Sequence, residues 1–402
     1  MRSLAMPNSS SATRFRALDG WRGVCALLVV LHHIEIHGWI YWQPLVRNGW
    51  LFVDFFFVLS GFVIAHSYGD RLVDGGRIKD FVIRRLGRLW PLHLIMLCAM
   101  IALELARLVT QHGHPISGQL AAPFTGDRSP FAILTNLFLV QAMGMHDFET
   151  WNGPAWSISC EFYTYLVFAA VCFFTVSRRL RVVFSALFAL LGLLVLARFS
   201  DYGMRETFHW AIFRCFFGFF VGVLTYEAWR AGVWRWFAGK TAMEIGTLAV
   251  VALFVTVVPG RTALEYLATP LFALAVLVFA NESGGVSRAL TAAPSAALGR
   301  WSYSIYLVHT FVIASLFSVM HVLEMKLHRA WLIHLPDGRA VIDMGSTVPN
   351  DMMMLAFALS AVALSAVTYR FVELPGQALF ARLLRPARTP AAAPQNGRFS
   401  TT

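Results

Sequence analysis

The chain is 402 residues long, 57% hydrophobic before its 29 glycines are counted, and only 14% charged. Soluble domains average about 45–50% apolar and about 25% charged, so this composition, with a mean hydropathy of +0.61, excludes a soluble enzyme and a disordered chain. The net charge of +11 sits in short basic clusters between apolar runs, which reports orientation in a bilayer and speaks against nucleic-acid binding. In chain order the apolar runs fall at 21–40, 50–67, 89–110, 157–175, 182–199, 209–229, 243–259, 264–280, 302–322 and 352–371. A further run at 131–145 is shorter than the roughly 20 residues that a spanning helix needs. With ten alternating spans, 23 of the 33 Lys and Arg share the side of the N-terminus, nine lie opposite and Arg214 is within a span. If 131–145 crossed the membrane, that bias would nearly vanish.

These readings predict an all-α polytopic membrane protein: about ten transmembrane helices plus one short re-entrant or surface helix, both termini cytoplasmic. Residues 1–13 and 385–402 read as disordered tails, leaving 14–384 as one membrane-embedded domain. The N-terminus lacks a cleavable signal layout. The five cysteines are odd in number and lie inside apolar segments, so they read as packing residues rather than a disulfide framework.

Polar residues inside the spans are the candidates for chemistry, because a charge in a bilayer is costly. In the first span Arg22 and His33 are eleven residues apart, about three turns and 16 Å. They share a face, with Arg22 near the cytoplasmic surface and His33 near the midplane. Asp54 lies about 6 Å into the second span among aromatic residues and should face the protein interior. Arg85 and Arg88, three apart, present paired guanidinium forks of the kind that grip phosphate; ordinary positive-inside anchoring is the plainer reading. Pro154 suits the first turn of the next span, which puts Glu161 about 10 Å down that helix. Glu161 cannot close a capping box, because Ile158 stands three residues before it. Arg214 enters to a similar depth and suits either Asp54 or Glu161 as a partner. Ser302, Tyr306 and His309 fall on one helix face, as cavity lining or as interhelical hydrogen-bonding groups. With neutral His33, the group His33, Asp54, Glu161 and Arg214 carries −1, and protonating the imidazole brings it to zero. A carboxylate beside a histidine favours a general base, so the constellation reads as a buried acid–base site open to the outside.

Five motifs in order resemble the acyltransferase-3 family of membrane O-acyltransferases. They are Arg16-x-x-Asp19-Gly20-Trp21-Arg22-Gly23 with His33; Asp54-Phe55-Phe56-Phe57-Val58-Leu59-Ser60-Gly61-Phe62; Arg85 and Arg88 with Pro91; Trp156-Ser157 with Glu161 and Tyr163; and Ser302-Tyr303-Ser304-Ile305-Tyr306-Leu307-Val308-His309. The likeness runs from about 14 to 375. Trp21 replaces the usual aliphatic residue and Cys160 precedes the glutamate, neither removing a functional group. The resemblance implies transfer of an acyl group, commonly acetyl, from cytoplasmic acyl-CoA to a hydroxyl of a carbohydrate or glycolipid at the outer face of the cell inner (plasma) membrane. It implies His33 as catalytic base or transient acyl carrier, Glu161 as its acidic partner, Arg85 and Arg88 on the coenzyme's phosphates, and Arg22 beside the donor channel. Asp54 and Arg214 would support the site, with Trp156, Ser157, Tyr163, Ser302 and His309 lining it. No metal site and no permanently bound cofactor is expected. The alternative is a transporter or flippase that uses the same His, Asp, Glu and Arg as a relay, although no internal repeat of the kind common in transporters is visible.

Overall fold

A computed structural model describes residues 15–384 except 73, 112–121, 176, 238–239, 258–259, 261–262 and 335–339. The tails predicted as disordered, 1–13 and 385–402, lie outside the described residues. The helices are α1 (Arg16–His33), α2 (Pro44–Arg47), α3 (Phe52–Tyr68), α4 (Gly75–Gln111), α5 (Pro130–Leu137), α6 (Trp156–Phe174) and α7 (Arg178–Phe199). There follow α8 (Ala211–Arg230), α9 (Thr241–Val257), α10 (Ala268–Phe279), α11 (Gly285–Leu290), α12 (Ala293–Leu327), α13 (Thr347–Thr368) and α14 (Leu374–Arg382). A π-turn, Tyr369–Glu373, joins the last two. The strands β1 (Leu332–His334) and β2 (Ala340–Ile342) pair antiparallel, Leu332 opposite Ile342.

The chain is an all-α polytopic membrane protein. Seven helical segments are long and apolar enough to cross a bilayer, and two shorter apolar helices are Thr241–Val257 and Ala263–Phe279. The one predicted span not among these nine, the first in chain order, falls on α1, whose 18 residues reach about 27 Å but carry Arg16, Asp19 and Arg22 in the first two turns. That first apolar run ends early as a helix. Ile34 is extended, Ile36 bridges Ile342, and the Ile342 amide donates to the Glu35 carbonyl at 2.9 Å. Tertiary pairing with β2 overrides the helical pattern there, so His33 stands at the end of its helix rather than at mid-span.

Glycines set the closest helix contacts. A Cβ on Gly23 would lie 2.6 Å from the Gly299 amide, and one on Gly222 would lie 2.0 Å from the Val58 carbonyl. Along the first contact Arg22 meets Ser302 and His33 meets His309, so α1 and α12 run parallel. Along the second, Asp54 meets Arg214 and Phe62 meets Tyr226, so α3 and α8 also run parallel. With alternating spans, α3 and α8 are parallel only if the segment between α4 and α6 does not cross.

That segment folds back without forming a spanning helix. Ser129 caps α5 by accepting from the Ala132 amide at 3.3 Å, and Pro130 occupies the first turn. Its eight residues span only about 12 Å. The chain then turns back at Leu139, whose φ of 57° is strained for a non-glycine residue. Carbonyls freed by this irregular stretch are met by side chains of neighbouring helices: Trp90 Nε1 donates to Leu137, Ser159 Oγ to Leu139 and Tyr163 OH to Phe138. Non-helical backbone at membrane depth survives only with such internal partners.

Candidate active site

Two cavities adjoin inside the bundle. The larger, about 310 Å³, lies between α1, α3, α4, α6 and α12; its polar lining includes Arg22, Arg85, Arg88, Ser60, Glu161 and Ser302. The smaller, about 190 Å³, is lined by His32, His33, Trp50, Glu149, Trp156, Arg205 and Arg214, among others. Val53 and Tyr306 line both. The Tyr306 hydroxyl is fixed by Ser157 Oγ at 2.9 Å and the Pro154 carbonyl at 3.1 Å, so the partition between the cavities is anchored to the start of α6.

In the larger cavity three guanidinium groups converge from two helices, each held differently. Arg22 pairs with Asp19 at 2.9 Å and donates to Ser302 Oγ at 2.8 Å and to the Gly299 carbonyl at 3.2 Å. The close approach of α1 and α12 makes that reach possible. Arg85 lies over the rings of Tyr68 and Tyr165, 5.4 and 5.9 Å from their centroids, and its buried Nε has no hydrogen-bond partner. Arg88 faces Glu373 at 3.5 Å and the Tyr303 ring at 5.7 Å. The i, i+3 spacing therefore places Arg85 and Arg88 together, as expected from sequence.

In the smaller cavity His33 donates from Nδ1 to the Val29 carbonyl at 2.8 Å, since a carbonyl can only accept. A neutral ring so fixed keeps its lone pair on Nε2, the arrangement of a general base. His33 lies 4.9 Å from the ring of His309 and 5.1 Å from that of His32, centroid to centroid. His309 is fully buried, bonded through Nδ1 to the Ile305 carbonyl at 3.3 Å, with Nε2 unpartnered.

Several sequence expectations are corrected. Glu161 does not accompany His33; it belongs to the arginine cavity, where Oε1 accepts from Ser60 Oγ at 2.6 Å and Tyr165 OH at 2.5 Å. Equal depth on two helices does not imply equal direction. Asp54 lines neither cavity; Arg214 takes both its oxygens, Nε to Oδ1 at 3.0 Å and Nη2 to Oδ2 at 2.8 Å. Arg214 thus pairs with Asp54 and not Glu161, while still contributing to the small cavity. Tyr163 ties down the turn after α5 and lines neither cavity, and His309 stands behind His33 rather than on a wall. Trp156, Ser157 and Ser302 do line cavities, Ser157 and Ser302 the larger and Trp156 the smaller.

Some residues on or beside the two cavities escaped the sequence reading. Glu149 is a loop carboxylate on the His33 cavity, and Asn152, beyond it, fixes the loop by donating to the Leu307 carbonyl at 2.9 Å. Arg205 lies 4.6 Å over the Trp50 ring. Tyr165 was legible in principle, being one turn after Glu161; Glu373 was not, since only tertiary packing brings it to Arg88.

The family description "acyltransferase domain" matches residues 15–370. The chain belongs to the acyltransferase-3 family. It is therefore a membrane O-acyltransferase, and the relay reading as a transporter falls away. Over 405 aligned residues this acyltransferase is 26% identical to the acyltransferase MdmB of Streptomyces mycarofaciens, covering 94% of this chain and 95% of the relative. It is 34% identical over 169 residues to protein 2 in the picA locus of Rhizobium radiobacter (40% of this chain, 84% of the relative). It is 29% identical over 265 residues to the exopolysaccharide production protein ExoZ of Rhizobium meliloti (65% and 76%). No solved structure matches the acyltransferase.

Proposed function

We propose that the protein moves an acetyl group from acetyl-CoA on the cytoplasmic side of the inner (plasma) membrane to a hydroxyl of a carbohydrate or glycolipid on the outer side. The observation that carries this reading is the meeting of an arginine-lined cavity with a histidine-lined one across Val53 and Tyr306. Guanidinium groups favour phosphate through charge-assisted, often bidentate bonds, so Arg85 and Arg88 would hold the coenzyme's phosphates with Arg22 beside them. The thioester arm would lie along the mostly apolar walls of the larger cavity and present its carbonyl at the partition.

The acceptor hydroxyl would enter the smaller cavity. His33 Nε2 takes its proton as the oxygen attacks the thioester carbonyl; the new C–O bond forms, the C–S bond breaks, and the imidazolium returns the proton to the departing thiolate. Exclusion of bulk water from the partition protects the thioester from hydrolysis. The relative named for exopolysaccharide production supports a surface carbohydrate as acceptor. Mass spectrometry of surface glycans from cells with and without the gene tests the reading: an increment of about 42 Da, the mass of acetyl transferred to a hydroxyl, is expected only when the protein is present. Identical glycans in both strains would refute it.

A further inference from the structure

Glu373 closes the π-turn Tyr369–Glu373. Such turns interrupt the helical register and recur at functional sites. The helix that follows, α14, docks directly on α4: a Cβ on Gly87 would lie 2.5 Å from Phe380 Cβ, and one on Gly376 would lie 2.5 Å from Pro91 Cβ. This packing brings Glu373, 1% exposed, to the Arg88 end of the larger cavity. Its carboxylate accepts from Ser304 Oγ at 2.9 Å and Gln377 Nε2 at 3.1 Å, both independent of Arg88. The separation from Arg88, 3.5 Å, exceeds the 2.7–2.9 Å typical of charge-assisted bonds. Glu373 is thus held by its own partners and touches Arg88 without locking it, whereas Asp54 and Arg214 are locked.

Arg88 is half-buried whereas Glu373 is buried: a carboxylate so enclosed needs a counter-charge, but a fixed carboxylate beside a phosphate site also repels an anionic ligand. We infer that Glu373 is a built-in counter-anion of the donor site, pairing with Arg88 in the empty cavity and competing with the coenzyme's phosphates for it. Its effect is to limit affinity for spent coenzyme and so to speed release. The inference rests on the donor assignment proposed above.

The test is titration of CoA by calorimetry into the full chain in lipid nanodiscs, with steady-state kinetics alongside. Glu373→Gln, which keeps shape and the Ser304 contact, should bind CoA about tenfold more tightly once the like charge is gone. It should also lower KM for acetyl-CoA and lower kcat as release slows. The gain should vanish in an Arg88→Gln background. Unchanged or weaker CoA affinity in a folded Glu373→Gln protein overturns the inference, as does a gain that persists without Arg88. Should Glu373→Gln fail to fold, Glu373→Asp, withdrawn by one methylene, carries the same test: tighter CoA binding supports the inference and equal or weaker binding overturns it. Wild-type CoA affinity that ignores Arg85→Gln with Arg88→Gln would instead remove the donor assignment itself, and the inference with it.

Discussion

Asp54 and Arg214 form a two-point clamp between α3 and α8, with both carboxylate oxygens bonded to one guanidinium and neither side chain more than 2% exposed. The remaining nitrogen, Nη1, donates to the Glu206 carbonyl at 3.2 Å, and the rings of Trp50 and Trp156 flank the cation. Breaking such a pair leaves a buried charge uncompensated. Asp54→Asn should therefore cost about 3–5 kcal/mol of stability, seen as a lowered thermal midpoint in detergent. Asp54→Leu with Arg214→Met should recover much of it. A single variant as stable as wild type would show that water reaches the clamp.

His33→Ala should lower acyl transfer by about 10²–10⁴-fold, the usual contribution of a positioned general base, while the thermal midpoint and CoA affinity stay near wild type. In vitro transfer to a model glycoside provides the readout. Full activity would remove the base from His33.

Replacing Arg85 and Arg88 together by Ala should raise KM for acetyl-CoA by at least about tenfold, each charge-assisted bond contributing roughly 1.5–3 kcal/mol, with little change in KM for the acceptor. Equal effects on both substrates would assign the pair to folding or anchoring.

A fourth prediction concerns pH. In the loop before α13, Asp343 accepts from the Asn350 side chain at 3.0 Å and the Gly345 amide at 2.8 Å, which hold its carboxyl below the ordinary value. A depressed folded-state pKa adds stability above the unfolded value, about 3.9, and loses it as pH falls through the folded one. Asp343→Ala should lower the thermal midpoint slightly at pH 7, with the gap to wild type closing below about pH 4. A gap that is constant from pH 7 to 3 would assign the effect to packing.

Topology has its own check. A reporter fused after Thr402 should read cytoplasmic, because the parallel pairs α1–α12 and α3–α8 leave both termini on one side and the basic bias makes that side the cytoplasm. An external signal would require an odd number of crossings.

Much of this was legible in the residues. Apolar run lengths located the helices, the basic bias left 131–145 uncrossed as the parallel run of α3 and α8 requires, and the spacing of Arg85 and Arg88 brought both to one cavity. Direction around the helix axis was not legible between helices. Depth alone grouped His33 with Glu161, whereas packing turns Glu161 toward Ser60 and Tyr165. Nor could periodicity foresee that the chain leaves the helix at Ile34 and that Ile36 bridges β2, since apolar residues serve a buried strand as well as a span.

The partition at Val53 and Tyr306 has an electrical consequence. With donor and acceptor on opposite sides, as proposed above, these two side chains are all that separates the water of one chamber from that of the other, and transfer proceeds without short-circuiting a proton gradient. Trimming both side chains to alanine should convert a sealed catalyst into a leak, visible as the collapse of a pH difference across proteoliposomes.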